Sequence, residues 1–388
     1  MKKRIKGLGL VIALSIIYQI NSYGLDNSLF SLPKVILNTP YQKSQVQVFI
    51  AKVEEEKRIA GEKRLEEEKK REEEKRRIEE EKRKTITLSI AGDVTLGYYA
   101  GQNEWNRFDK VAEKEGYAYF LKNVLNIFKK DDLTIVNLEG PLTTGGKKVE
   151  KEFAMKGHPS YTQILLDGSV ESVNLANNHT YDYGEEGYRQ TKEGLDKAGI
   201  GYFGENQIQY VSIKDVRVAL IGAKGWSAAK SVKDKLTNQI VEAKKKADLV
   251  IVMFHWGIER EFYPNKEQKD LAYHVIDAGA DLVVGSHPHV IQGIEEYKGR
   301  NIIYSLGNFS FGGNRNPSDK DTFIYQETFK LTEKGIESLG SQIIPCRISS
   351  VKTVNNYQPT PLTGEEGNQV INRLKEYSKN FKISYFNK

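Results

Sequence analysis

Residues 281–290 read DLVVGSHPHV, an uninterrupted apolar run that stops at a serine and two histidines. Residues 248–257, DLVIVMFHWG, repeat this arrangement with His255 near the end of the run. Short apolar runs of this kind are typical of strands that are buried on both faces of a sheet. The histidines then lie where the strands end, which is where α/β sheets hold their ligands.

The same pattern extends outward along the chain. Further apolar runs predict strands: TITLSIAGD (85–93), LTIVNLEG (133–140), SVESVNLANNH (169–179), VRVALIGAKG (216–225) and NIIYSLGNFSF (301–311). Stretches between and after them predict helices: 120–132, 187–199, 233–247, 266–280 and 364–378. Two more strands are predicted between Thr322 and Ser350. The alternation of strands and helices favours an α/β architecture with helices packed over the sheet.

Polar side chains that can ligate a metal follow the predicted strands. They are Asp93, Glu139, Asn178, His255, His287 and His289. A set rich in carboxylate and imidazole, without a thiol, suits Zn²⁺, Mn²⁺ or Fe rather than Cu(I) or an iron–sulfur cluster. Each residue alone also fits an ordinary role as a helix cap, a turn residue or a buried core residue. Their recurrence at consecutive strand ends is what predicts a joint metal site.

The composition narrows the classes of protein. Of the 388 residues, 39% are hydrophobic and 28% charged, so a packed core is expected and wholesale disorder is excluded. A net charge of +6 permits anionic partners but is too small to indicate nucleic-acid binding. The single cysteine, Cys346, excludes an intrachain disulfide and a CxxC zinc site.

Residues 1–24 have the pattern of an export segment. The basic start MKKRIKG precedes an uncharged stretch, residues 7–20, which has the length of a signal-peptide core and is short for a bilayer span. The segment is therefore expected to be either a cleaved signal peptide or a retained anchor with its N-terminus inside. Both alternatives predict an extracytoplasmic protein, secreted or anchored to the membrane.

Two segments are expected to separate this start from the globular part. Residues 25–50 are predicted to be a loose linker. Residues 51–84 are a charged spacer, in which the 31 residues Glu54–Lys84 include 13 Glu and 13 Lys or Arg. Glu precedes a basic residue at i,i+4 in pairs such as Glu66 and Lys70, which favours a helix, and apolar residues are too sparse for a coiled-coil dimer. Either a helical stand-off from the membrane or a flexible linker would fit.

Six motifs carry a resemblance to a known family: AGDVTLG, NLEGPLT, NLANNHTYDYG, FHWG, GSHPHV and SLGNF. In this order and spacing they resemble the poly-γ-glutamate capsule-biosynthesis proteins of CapA type, which belong to the calcineurin-like metallophosphoesterase superfamily. The resemblance covers roughly residues 86–320 and implies a β-sandwich flanked by helices. The strand and helix pattern itself predicts a domain of residues 85–350 and a C-terminal extension, residues 351–388, with one helix. The resemblance also implies two divalent metal ions and, as partners, membrane-bound capsule synthase subunits.

The resemblance assigns a role to each polar strand end. The implied ligands are Asp93, Glu139 and His289 for the first metal, and Glu139, Asn178, His255 and His287 for the second. Glu139 stands where the superfamily usually has a bridging aspartate. The first motif departs from the superfamily's Asp-x-His, because Thr95 replaces the histidine and the first metal loses an imidazole.

Four further residues are candidates for chemistry or substrate contact. His179 matches the imidazole that contacts the leaving group or the phosphate without binding metal. Asp182 either orients that imidazole or begins the next helix. Asn308 and Arg315 belong to a glycine-rich rim, where Arg315 is either a grip for carboxylate or phosphate or an ordinary surface arginine.

Three functions fit the sequence. The chain is a component of capsule synthesis or export, an exported metal-dependent phosphoesterase with another substrate, or a non-catalytic anchor whose metal site stabilises the fold or binds polyanion. An anionic polymer or a phosphate-containing compound is the expected substrate, and nucleic acid is not expected. In the second function His179 is required, and in the third it is dispensable.

Overall fold

The structure of the protein, a computed structural model, describes residues 40–382. The predicted signal or anchor segment, residues 1–24, and residues 25–39 of the linker lie outside the described residues. The chain divides into two compact units between Glu80 and Glu81. Within residues 40–382, no helix combines the length and apolarity that a membrane span requires.

Helix α1 (Pro40–Arg83) is the described part of the charged spacer. It is almost wholly exposed, and the predicted pair forms, with Lys70 Nζ 2.8 Å from the Glu66 carboxylate. The helix begins earlier than expected, so residues 40–50 are helical and the prediction of a loose linker is wrong for them. Pro40 is tolerated there because the first helical position needs no backbone N–H, and no glycine or further proline follows before Gly61.

Two β-sheets form the second unit. The first contains β1 (Thr85–Thr95), β3 (Leu133–Leu138), β5 (Ser172–Asn174), β6 (Gly201–Phe203), β13 (Asn308–Phe311), β14 (Asp321–Thr332), β15 (Gly335–Arg347) and β16 (Thr360–Pro361). Their order is β16–β15–β14–β1–β3–β5–β6, with β13 beside β1. The second sheet contains β7 (Ile208–Ile213), β8 (Val216–Gly225), β9 (Leu249–Trp256), β10 (Leu282–Ser286), β11 (Ile294–Tyr297) and β12 (Arg300–Ile303). Their order is β11–β12–β10–β9–β8–β7. A separate pair is formed by β2 (Tyr98–Tyr99) and β4 (Met155–Lys156).

Seven further helices belong to this unit within the described residues. They are α2 (Phe108–Glu115), α3 (Leu125–Phe128), α4 (Thr162–Asp167), α5 (Gly184–Ala198), α6 (Lys230–Lys244), α7 (Lys266–Asp277) and α8 (Gly364–Ser378). The helix predicted over residues 120–132 is shorter than expected. Val124 has φ −106° and ψ −8°, away from regular helix geometry, and only α3 remains.

The apolar core establishes the order of the layers. Inward residues of both sheets, such as Ile135 of β3 and Ile251 of β9, share one cluster. The other face of the first sheet packs on α2, α4 and α5, and the other face of the second sheet packs on α6 and α7. The fold is therefore a β-sandwich with helices on both outer sides, and the predicted four-layer class is confirmed. Strands such as β9 are buried on both faces, which explains their uninterrupted apolar runs.

The C-terminal segment is part of the same unit rather than an appendage. Strand β16 pairs with β15, where Pro361 stands opposite Cys346. Val370 and Leu374 of α8 are buried in the cluster between the two sheets. The structure thus differs from the expectation of a domain that ends at residue 350, because these apolar residues complete the inter-sheet core.

Candidate metal centre

Strands of both sheets end in polar residues, and these residues lie close together. In the first sheet Asp93 of β1 stands beside Asn137 of β3. In the second sheet His255 of β9 stands beside Ser286 of β10. Both pairs are parallel, so the carboxyl ends of neighbouring strands lie at the same edge. All six predicted ligands are brought together there: Asp93, Glu139, Asn178, His255, His287 and His289.

The carboxylate of Glu139 lies at the centre of the group and has an unsatisfied oxygen. Its Oε2 accepts a hydrogen bond of 3.0 Å from the Thr95 hydroxyl. Its Oε1 is buried and has no hydrogen-bond partner. His255 Nε2 and His289 Nε2 lie 3.5 and 3.8 Å from Oε1. These distances are too long for hydrogen bonds, but they suit two ligands that each lie ~2.0–2.2 Å from one ion.

Asp93 is the second buried carboxylate. Its oxygens accept hydrogen bonds from Asn137 Nδ2 at 2.7 Å and from the His287 backbone N–H at 3.1 Å. Burial, reinforced by the charge of Glu139, raises the pKa of Asp93 to about 7. Among residues 40–382, no Lys or Arg forms an ion pair with Asp93 or Glu139. Two close buried carboxylates without a basic partner fit a bound cation, which would favour their charged forms.

Two of the imidazoles around these carboxylates, those of His255 and His287, are held in the neutral form that binds metal. His255 Nε2 lies 2.8 Å from Asn178 Oδ1 and 3.1 Å from His287 Nδ1. Burial, together with the neighbouring His287, lowers the pKa of His255 well below its usual value. Burial also lowers the pKa of His287 to about 4. Both side chains therefore offer lone pairs at neutral pH.

The loop after β10 is strained where it delivers its two histidines. His287 has φ 96° and His289 has φ 57°, in the left-handed region that residues other than glycine rarely adopt. The loop is fixed from outside, since the Arg260 N–H donates to the Pro288 carbonyl at 2.8 Å. Strain of this kind persists only where the surrounding structure imposes it, and it is common at ligand sites.

The ligand atoms fall into two overlapping groups, each with its atoms within 4.8 Å of one another. The groups are Asp93, Glu139, His255 and Glu139, His287, His289. Glu139 belongs to both, as a bridging carboxylate would. The resemblance instead places His289 with Asp93, and His289 Nδ1 does lie 3.5 Å from the Asp93 carboxylate. Thr95, which stands where the resemblance would lead one to expect a histidine, supports Glu139 through its hydroxyl.

His179 lies beside the centre with its ring oriented by Asp182. Its Nδ1 is 2.5 Å from Asp182 Oδ2, and its Nε2 is 4.0 Å from Glu139 Oε1. Asp182 also accepts a 2.6 Å hydrogen bond from the Met155 backbone N–H. Lys151, which the sequence analysis missed, contacts Asp182 Oδ1 and His179 Nδ1, each at 3.1 Å. No motif marks this lysine, because it reaches the site from a loop 28 residues before His179.

A cavity of about 160 Å³ opens beside the centre, and its lining includes His179, His289 and Asn308. Asn308 Oδ1 also lies 2.8 Å from His289 Nδ1, so Asn308 orients a candidate ligand. Arg315 is not part of this lining and belongs to an adjoining cavity. Trp226, also missed from the sequence, is 45% exposed and packs edge-on against His287 with ring centroids 4.6 Å apart.

We expect the affinity for a divalent ion to weaken as the pH falls below about 7, where Asp93 takes up a proton. A ligand must be deprotonated to bind, so affinity drops by up to ~10-fold per pH unit below its pKa. Burial lowers the pKa of His289 but Glu139 and Asp93 outweigh it, so this pKa is raised and adds to the trend. Titration with Mn²⁺ at pH 5.5, 6.5 and 7.5 measures the slope. Asp93→Asn should bind Mn²⁺ more weakly, and its affinity should change less with pH. If the affinity of the wild-type protein does not change between pH 5.5 and 7.5, the prediction is wrong.

The chain is similar to known proteins in sequence and in structure. The model of the bacterial capsule synthesis protein family PGA_cap matches residues 87–313. The PGA biosynthesis protein CapA of Bacillus subtilis is 36% identical over 248 residues, which are 58% of this chain and 63% of that protein, less than two thirds of its length. The capsule biosynthesis protein CapA of Bacillus anthracis is 30% identical over 329 residues, 77% of this chain and 75% of that protein. Among solved structures, the calcineurin-like phosphoesterase YfkN of Bacillus subtilis aligns with a TM-score of 0.43 and 14% identity, over 76% of this chain and 98% of that one.

Proposed function

Since the chain belongs to the bacterial capsule synthesis protein family PGA_cap, we propose that it acts in poly-γ-glutamate capsule synthesis or export through a centre of two divalent metal ions. The observation that carries the proposal is the buried, unpartnered Oε1 of Glu139, with His255 and His289 at ligand-to-ligand distances. The relatives named for PGA and capsule biosynthesis supply the substrate class.

The residues present fit the metal pair that the proposal requires. The ligands would be Asp93, Glu139, Asn178, His255, His287 and His289. Carboxylate, amide and imidazole donors suit Mn²⁺, Zn²⁺ or Fe. When bound, two such ions supply Lewis-acid activation for in-line attack on a phosphoryl centre. Asn308 would keep the ring of His289 in one orientation through their 2.8 Å contact.

His179 is the group that the proposal assigns to proton transfer. If Nδ1 donates its hydrogen to Asp182, the ring is held in one orientation with Nε2 towards the centre. A protonated Nε2 would then give its proton to the leaving oxygen as a general acid. Lys151 would act as a positioning residue, because its ammonium group balances the charge of Asp182 beside the imidazole. This arrangement favours a metal-dependent phosphoesterase activity, on the capsule precursor or on another phosphate-containing substrate.

The location and the partners belong to the same proposal. The basic and apolar start of the chain supports an extracytoplasmic protein, anchored to the membrane or secreted. The exposed, ion-paired helix α1 supports a stand-off between an anchor and the second unit. Membrane-bound capsule synthase subunits are the partners that a capsule synthesis protein would meet at that surface.

We expect His179→Ala to lower turnover of an aryl phosphate by ~10²–10⁴-fold while the metal content stays unchanged, because a general acid is lost and no ligand is removed. The same variant should lower capsule polymer in a Bacillus in which this chain replaces the resident CapA. His274→Gln is the matched control, since His274 lies on α7 and contacts Thr237 and the Lys233 carbonyl, both on α6.

Full capsule yield with His179→Ala would contradict a catalytic role in capsule formation and favour the non-catalytic anchor. Turnover that persists in the variant would exclude His179 as the proton donor. Deleting residues 1–24 separates the remaining alternatives, because only an anchored or exported protein should lose capsule yield while it keeps its metal content.

A further inference from the structure

A second cavity adjoins the one beside the metal centre. It measures about 250 Å³, and the two cavities share Phe153, Gly313 and Asn314 in their linings. The lining of the second cavity also includes Gln102, Trp105 and Arg315. None of these three residues contacts a candidate metal ligand or His179. They have no role in the mechanism described above.

Gln102 lines this cavity and has an unsatisfied amide oxygen. The side chain is 5% exposed, and its Oε1 is buried without a hydrogen-bond partner. Its Nε2 makes one long contact, 3.4 Å, with the Gly312 carbonyl. A buried acceptor without a donor is unfavourable in a folded protein, and native structures contain few of them. A ligand that presents an N–H group would satisfy this oxygen.

Arg315 supplies a positively charged group to the same cavity. Its Nη1 donates to the Trp105 carbonyl at 2.9 Å, and its guanidinium lies 5.5 Å from the centroid of the indole ring. Within the described residues, no acidic side chain forms an ion pair with Arg315. These two contacts fix the guanidinium and leave most of its N–H donors for an anion, which arginine binds preferentially as a planar carboxylate or phosphate.

The loop that carries Arg315 is fixed to the core. Asn355 is fully buried, and its Nδ2 donates to the carbonyls of Phe311 and Asn314 at 2.8 and 3.0 Å. The Asn355 N–H donates to the Arg315 carbonyl at 3.1 Å, and the Gly312 N–H donates to the Thr95 carbonyl at 2.8 Å. The loop is thus tied to the strand that carries Asp93. The cavity has preformed walls, which reduces the entropy lost when a ligand binds.

We propose that this second cavity is a binding subsite for one unit of an amide-linked polyanion, with the amide N–H on Gln102 and the carboxylate on Arg315. The inference rests on the proposed function, because the adjoining metal centre is then the first subsite. The next unit of the same polymer occupies that first subsite. Methylene groups between amide and carboxylate pack on Trp105 and Phe153, which are 64% and 43% exposed. A polyphosphate fits less well, because it has no N–H donor for Gln102.

Calorimetric titration of the full-length, Mn²⁺-loaded protein with a γ-linked glutamate hexamer, in the D and the L series, tests the subsite. We expect Arg315→Gln to raise Kd by ~10-fold or more, as the loss of a charge-assisted hydrogen bond implies. Arg315→Lys should restore part of the affinity, because it keeps the charge without the planar fork. Gln102→Leu should weaken binding in the same direction. Arg217→Gln is the control, since Arg217 is 61% exposed and pairs with Asp248.

Three results would overturn the subsite: no hexamer binding by metal-loaded wild type, equal Kd for wild type and Arg315→Gln, or a polyphosphate that binds as tightly and loses as much in the variant. Metal analysis of the same samples keeps the two proposals apart. Wild-type protein that binds no metal would contradict the proposed function, whereas normal metal content with an unchanged Kd in Arg315→Gln contradicts the subsite alone.

Discussion

Glu139→Gln is expected to lower the bound divalent metal from two ions per chain to one or none, with an affinity loss of at least ~100-fold for the ion that is lost. Removing a residue that only supports a ligand already costs ~10–100-fold, and Glu139 lies in both candidate ligand groups. The substitution keeps the size of the side chain and removes one charge, so packing is preserved. Elemental analysis after loading with Mn²⁺ or Zn²⁺, and titration of the metal-free protein, measure the effect.

Glu327→Gln is the control for loss of a buried carboxylate. Glu327 is 3% exposed and is held by Tyr325, Ser338 and Asn301, away from the centre. The Glu327→Gln substitution should change the stability of the fold without changing the metal content. Two ions retained at wild-type affinity in Glu139→Gln would show that Glu139 does not bridge them. Capsule yield in the same Bacillus replacement strain should fall with the metal content.

Gly92→Ala is expected to lower the free energy of unfolding by about 3 kcal/mol or more, at the upper end of overpacking effects. An added Cβ would lie 1.9 Å from the Gly307 carbonyl oxygen. The same oxygen accepts a 3.0 Å hydrogen bond from the Asp93 N–H, so β1 and the segment before β13 touch directly at the metal centre. Separating them would also displace the Asp93 carboxylate, and metal affinity should fall with stability.

Urea denaturation of the full chain, monitored by fluorescence, measures the change in the free energy of unfolding. Gly194→Ala is the matched control. Gly194 lies in α5, where an added Cβ would meet the Thr162 methyl group at an ordinary 3.5 Å. There the substitution should be neutral or stabilising by ~0.5–1 kcal/mol, because alanine is the better helix former. Equal stability of Gly92→Ala and wild type would contradict the close approach that positions Asp93.

The sequence predicted the parts of the fold whose signal is local. Helix α8 has the predicted bounds, Gly364–Ser378, and the predicted strand that carries His255 near its end is β9, Leu249–Trp256. The arrangement of these elements is not a local property. A strand buried on both faces has the same apolar run in a single covered sheet and in a sandwich flanked by helices, so periodicity alone cannot separate the two. The sandwich was predicted from the resemblance carried by the six motifs.

In the site too, residues with a local sequence signal could be predicted, and residues positioned by contacts distant in sequence could not. The six ligand candidates could be identified because each follows an apolar run, and the parallel strands bring them together. Lys151 and Gln102 could not, because both lie in irregular segments whose positions depend on contacts distant in sequence. Arg315 was identified as an anion-binding candidate, but its position beside Trp105 depends on Asn355, from the segment expected to lie outside the domain.

The proposed centre requires that two metal ions share Glu139. Anomalous difference maps from crystals of the Mn²⁺-loaded protein, recorded at the manganese edge, show directly whether they do. We expect two peaks ~3.5–4 Å apart, one on each side of the Glu139 carboxylate, with His255 and His287 among the ligands. A map without a peak within coordinating distance of Glu139, from protein loaded with Mn²⁺ at neutral pH, would contradict this expectation.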